Sequence, residues 1–219
     1  MGTIWYGRYY LEFFDFSGKS KWRIDFKSVL PTTEPKLGSG IRILDNIMYL
    51  VVKDTVDWKA SFIAVDCLEG NILFKQEDFG GHLRVIDNKL ISVSSTRIAK
   101  FDTSSLKWTI YDASKSLSDL DEEVKEFASN GEFLGTIINQ FSFSHQYYDI
   151  KDDYFIFAQA RSNKVGIINL ITNKIEWTID MGKEFGSGLV IQVLVSDNYI
   201  YILDSDRRLF TFSKEISYT

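Results

Sequence analysis

Carboxylates are the residues of this chain with the widest chemical reach. Asp45, Asp54, Asp57, Asp87, Asp152, Asp153, Asp197, Asp204 and Asp206 are spread along it. Two carboxyls held a few ångströms apart can cleave a glycosidic bond, one as acid and the other as base or nucleophile. The spacing argues against that use. Asp45-Asn46, Asp87-Asn88, Asp152-Asp153 and Asp197-Asn198 recur as pairs between apolar runs. There Asp and Asn act first as turn formers, because they tolerate left-handed backbone and bond to their own chain. Asp204-Ser205-Asp206-Arg207-Arg208 reads as a polar hairpin tip. His82 and His145 lie far apart, and no Cys or Asp near either makes a metal-ligand spacing. The glycine patterns of a nucleophile elbow, a P-loop and a dinucleotide fold do not occur. Gly80-Gly81 and Gly186-Ser187-Gly188 each precede the first strand of a unit and read as spacers. No catalytic set, metal site or cofactor is expected.

The turns punctuate a unit that recurs about every 40–45 residues. Each unit is a strand, a turn, a second strand, a third strand, another turn, and a closing strand with an aromatic. Trp22, Phe74, Trp108 and Trp177 occupy that closing position. The units fall at about 1–30, 41–79, 82–112, 142–181 and 188–219. The first is truncated and begins near a strand at 9–14, and a surplus strand at 215–218 follows the last. This period with mostly β content predicts one all-β domain over 1–219, a small β-propeller of five blades.

Two stretches carry a family resemblance. Asp15-Phe16-Ser17-Gly18-Lys19 leads to Trp22, and Asp102-Thr103-Ser104-Ser105 leads to Trp108. Strand, Asp, turn, then Trp resembles the quinoprotein-like (PQQ-like) and WD40-like propeller repeats. The resemblance is loose and covers nearly the whole chain except 115–140. It implies a fold and no activity. The disulfide and calcium ligands of quinoprotein dehydrogenases have no counterpart in a chain with the single Cys67.

Between the third and fourth units the strand pattern breaks. Leu117, Leu120, Val124 and Phe127 follow at intervals of three, four and three, which places them on one helical face. Ser116 or Ser118 can cap the start, and Asn130-Gly131 is a natural stop. The spacing predicts an amphipathic helix over about 117–129, within an insertion at 115–138. Its outer face carries Asp119, Asp121, Glu122, Glu123 and Glu126. Such a helix either covers an edge of the fold as a solvated face or presents acids to a basic partner. Trp58 differs from the other aromatics. It sits alone in the polar stretch 54–59 between two strands and is the candidate exposed anchor.

Bulk properties narrow the function classes. The net charge of −5 disfavours nucleic-acid binding, which needs an excess of Lys and Arg to neutralise phosphates. Apolar runs such as 47–52 are too short to span a bilayer. The start lacks the basic-then-apolar pattern of a signal peptide, so the expected location is cytoplasmic. The expected function is a non-catalytic protein-binding propeller. In general character it fits an inhibitor or immunity protein that neutralises a basic partner toxin such as a nuclease. A carbohydrate-binding, lectin-like propeller is the alternative, and a glycoside hydrolase or lyase a further one.

Overall fold

The computed structural model describes residues 2–127, 130–131, 133–139, 141–159 and 163–213, with the backbone alone for 122–127, 133–139 and His145. The expected strand at 215–218 lies outside the described residues. The chain is nearly all-β, 58% strand and 8% helix.

The first sheet is a meander of β1 (Gly2–Tyr6), β2 (Tyr10–Asp15) and β3 (Ser20–Asp25), followed by the single turn α1 (Phe26–Val29). The second holds β4 (Lys36–Leu37), β5 (Arg42–Leu44), β6 (Ile47–Asp54), β7 (Lys59–Asp66) and β8 (Ile72–Glu77), with β4 and β5 both paired to β6. The third is β9 (His82–Ile86), β10 (Lys89–Ser94), β11 (Arg97–Asp102) and β12 (Lys107–Asp112). A short α2 (Ser114–Leu117) and a 3₁₀ turn (Ser118–Leu120) lead to a ribbon of β13 (Glu122–Phe127) and β14 (Phe133–Asn139). The fourth sheet is β15 (Phe143–Lys151), β16 (Tyr154–Gln159), β17 (Lys164–Asn169) and β18 (Lys174–Asp180). After α3 (Met181–Phe185), the fifth is β19 (Val190–Val195), β20 (Tyr199–Asp204) and β21 (Leu209–Ser213). Neighbouring strands such as β1–β2, β6–β7, β16–β17 and β20–β21 pair antiparallel, and each sheet is built from consecutive strands, as repeats of one hairpin-linked unit require.

The chain forms two compact units, one of residues 1–92 and 99–109 and one of 93–98 and 110–219. In the first unit, Leu11, Trp22 and Ile24 of the first sheet share a core with Met48, Leu50, Val52, Ile63 and Val65 of the second. The opposite face of the second sheet, with Tyr49, Val51, Phe62 and Ala64, packs on Leu83, Leu90, Ala99 and Phe101. Alternation along β6 thus feeds two cores, which explains why its sequence is apolar on both faces. In the second unit, Ile156, Ala158, Val165 and Ile167 pack on Val190, Val193, Ile200 and Ile202.

The turns follow from their residues. Asp45-Asn46 and Asp87-Asn88 have positive φ at both positions (52° and 60°, 47° and 58°), the conformation of a two-residue type I′ hairpin. Gly70 answers a different demand. Its φ is 73°, and a Cβ there would lie 2.4 Å from Cγ of Trp22, whose Nε1 donates to the Cys67 carbonyl at 3.2 Å.

Two expectations are corrected. The first unit has an additional strand, β1, before the segment 9–14. The helix expected over 117–129 does not form. α2 ends at Leu117, and 122–127 is a strand whose Val124 pairs with Ile137. An isolated helix of three turns is marginal in water. The following segment Phe133-Leu134-Gly135-Thr136-Ile137-Ile138 is β-prone and offers a partner. Asn130-Gly131 then lies between two strands, as a hairpin signal rather than a helix stop.

Candidate partner-binding surface

Trp58 stands at the tip of the β6–β7 hairpin, where Asp54 pairs with Lys59. It is 88% exposed, and its neighbour Val56 is 57% exposed. A tip that displays two apolar side chains to water needs a reason to stay ordered, and Asp54 supplies it. This carboxylate is buried at the end of β6. Its Oδ1 accepts from the N–H of Val56 (2.7 Å) and Asp57 (3.1 Å), while Oδ2 accepts from the N–H of Glu34. Asp57 Oδ2 accepts from the Thr33 N–H at 2.8 Å, and Lys36 Nζ donates to Thr55 Oγ1 at 3.2 Å. The tip is therefore stapled to the loop at 33–36 from two sides. Burial pushes the Asp54 carboxyl up, but the N–H groups of Glu34, Asp57 and Val56 and the Thr32 hydroxyl outweigh it and hold the group at about 2. Trp58 itself has φ 54°, a left-handed conformation that costs a bulky side chain about 1–2 kcal/mol. These bonds order the backbone that displays Trp58.

The acids of the insertion belong to the second unit. Asp119 is exposed in the 3₁₀ turn. Asp121 is half-buried, and its Oδ1 accepts from the Phe141 N–H at 2.7 Å. Glu122, Glu123 and Glu126 sit on β13 in register with Asn139, Ile138 and Gly135, and their side chains lie outside the described residues. The structure brings Asp119 and Asp121 together at the start of the ribbon, whereas Trp58 is part of the first unit. Beside Asp121 opens a cleft of about 460 Å³, lined also by Ser95, Thr96, Ser114, Ser118 and Ser142. Sequence reasoning missed this cleft, because its walls come from three separate segments.

Several aspartates accept from backbone N–H groups. Asp15 accepts from Ser17 and Lys19 N–H, Asp66 from Leu68 and Glu69, and Asp102 from Ser104 and Ser105. Asn169 accepts from Ile171 and Thr172 in the same way. An Asp or Asn side chain therefore repeats one task at the closing hairpin of four sheets. The Ser17 hydroxyl and Lys19 N–H bring Asp15 to about 2, and the Ser104 and Ser105 hydroxyls hold Asp102 lower still. Asp204 is fully buried and is gripped by Arg208 through Nε (2.9 Å) and the backbone N–H (2.8 Å). Asp206 pairs with Arg208 at 2.8 Å, and Asp197 with Lys151 at 2.9 Å. His82 is exposed at the start of β9. Among the described residues no three His, Cys, Asp or Glu gather as metal ligands. Among them, too, no helix is long and apolar enough to cross a membrane.

The fold is that of a β-propeller. The chain is similar to the β-propeller domain of Myceliophteria thermophila Cps50 (Swd1), with a TM-score of 0.51 and 8% identity over 95% of this chain and 68% of that one. It is similar to Kluyvelomyces marxianus Hsv2, with a TM-score of 0.54 and 9% identity over 94% of this chain and 54% of that one. Moraxella catarrhalis BamB aligns with 16% identity over 97% of this chain and 66% of that one, with a TM-score of 0.45. The β-propeller fold expected from the repeat thus holds. No family model matches the sequence, and no curated protein matches it.

Proposed function

We propose that this chain is a non-catalytic protein-binding propeller, an inhibitor of the immunity type that neutralises a basic partner toxin such as a nuclease. One observation carries the reading: a nearly fully exposed Trp58 on a tip that Asp54 and Asp57 hold rigid. Trp is the side chain most often found to dominate an interface, and pre-ordering removes part of the entropy cost of docking it. The net charge of −5 and the exposed Asp119 favour a basic partner, whose approach they would speed.

The test compares the wild type with Trp58→Ala. The wild-type chain captures its partner from the native source, and mass spectrometry identifies it. Calorimetry on the purified pair then measures both affinities. Truncating an anchor of this kind costs about 2 kcal/mol or more, roughly thirtyfold in Kd. The melting temperature should not move, because the side chain supports no core. Association should slow as salt rises. Equal affinities for the two proteins would remove Trp58 from the interface. A captured partner without a basic character would remove the toxin-inhibitor reading.

A further inference from the structure

The cleft beside Asp121 has a different chemistry from the Trp58 tip. Five hydroxyl-bearing residues line it, Ser95 and Thr96 at the β10–β11 turn, Ser114 and Ser118 around α2, and Ser142 before β15, and of these the Ser118 hydroxyl donates to the Lys115 carbonyl and is left as an acceptor. Leu117 and Phe141, both buried, form its apolar floor. Its walls are tied to one another by backbone. The Ala113 N–H donates to the Thr96 carbonyl at 3.0 Å and the Phe143 N–H to the Ser95 carbonyl at 2.7 Å. The Phe141 N–H donates to Asp121 Oδ1 at 2.7 Å. The shape is thus preformed, in the size range of small-molecule sites.

The lining selects the ligand by charge. Among the described residues no Lys, Arg or His lines the cleft, and a phosphate or carboxylate would meet the Asp121 charge there. One carboxylate with hydroxyls is too few hard, charged ligands to strip the water from a divalent cation. A neutral molecule rich in hydroxyls fits both constraints. Its vicinal hydroxyls can donate to the Asp121 carboxylate, its other oxygens can exchange bonds with the Ser and Thr hydroxyls, and its C–H face can rest on Leu117 and Phe141. We propose that this cleft binds a neutral sugar or polyol.

The experiment is calorimetric titration of the whole chain with neutral mono- and disaccharides and with inositol. Glucuronate and glucose 6-phosphate serve as charged controls. A neutral sugar should bind in the millimolar range or tighter, with the charged controls at least about tenfold weaker. Ser118→Trp, at an exposed position on the cleft wall, should abolish the heat. Asp121→Asn retains an acceptor for the Phe141 N–H but loses the charge, and should weaken binding about tenfold. Circular dichroism checks that both variants fold. The proposal is overturned if no neutral sugar or polyol gives heat, if an anionic control binds more tightly, or if a folded Ser118→Trp binds as the wild type does.

Discussion

Phe62→Ala should destabilise the protein by about 3–5 kcal/mol, a large share of the 5–15 kcal/mol that holds a typical domain together. Phe62 on β7 is fully buried. Its ring centre lies 4.9 Å from Trp108, 5.2 Å from Phe101, 5.9 Å from Phe79 and 6.1 Å from Tyr49 and Phe74. Trp108 and Phe101 meet it edge-on, the arrangement that ring quadrupoles favour, so the loss exceeds that of an aliphatic side chain of equal area. Five rings cannot close on the space without leaving their rotamers, and the cavity remains. A urea titration of the variant against wild type measures the effect. A loss below about 1 kcal/mol would mean that the cluster collapses freely. The same cluster contains a conservative control with the opposite sign. The Tyr49 hydroxyl is buried with no hydrogen-bond partner among the described residues, and burial pushes its pKa up. Tyr49→Phe removes that unpaired hydroxyl and should be neutral or stabilising by up to about 1 kcal/mol.

This cluster was legible in the sequence only in part. Trp108 and Phe74 stand out because they recur at the closing position of their units, and the Asp-Asn pairs mark hairpins because few residues adopt positive φ. Periodicity failed where two periods fit the same residues. Leu117, Leu120, Val124 and Phe127 suit a helical face, but the choice was made by a β-prone segment beyond Asn130-Gly131, which a local window does not weigh. Gly2–Tyr6 falls ahead of the truncated first unit and has no counterpart in the repeat pattern, yet β1 pairs along its whole length with β2. Trp58 was visible as the one aromatic in a polar stretch. The bond from Glu34 to Asp54 was not, since it joins two loops through a side chain that looks like any turn aspartate. The cleft was hidden for the same reason. Its hydroxyls are spread from Ser95 to Ser142, and only the path of the backbone brings them together.

Asp54→Ala should disable the proposed site without touching the anchor. The substitution leaves the N–H groups of Glu34, Val56 and Asp57 without their acceptor, and only the Asp57–Thr33 and Lys36–Thr55 bonds then tie the tip that carries Trp58. The melting temperature should fall by about 5–10 °C, because each buried donor left unpaired is costly. Partner affinity should fall nearly as far as in Trp58→Ala, since the ordering of the tip must then be supplied on binding. Comparing the two variants separates contact from preorganisation, because only Asp54→Ala changes both stability and affinity. The carboxylate also sets an acid limit. Its pKa is about 2 in the folded chain against 3.8 for the free group, so its contribution is complete above about pH 4 and is lost as the pH falls through 2. Asp15, lowered to about 2, and Asp102 and Asp204, also held down, act in the same direction. Wild-type melting temperature should therefore drop steeply between about pH 4 and pH 2, and Asp54→Ala should drop less across that window. Parallel curves for the two proteins would show that the Asp54 carboxylate is not the charged acceptor that braces the tip.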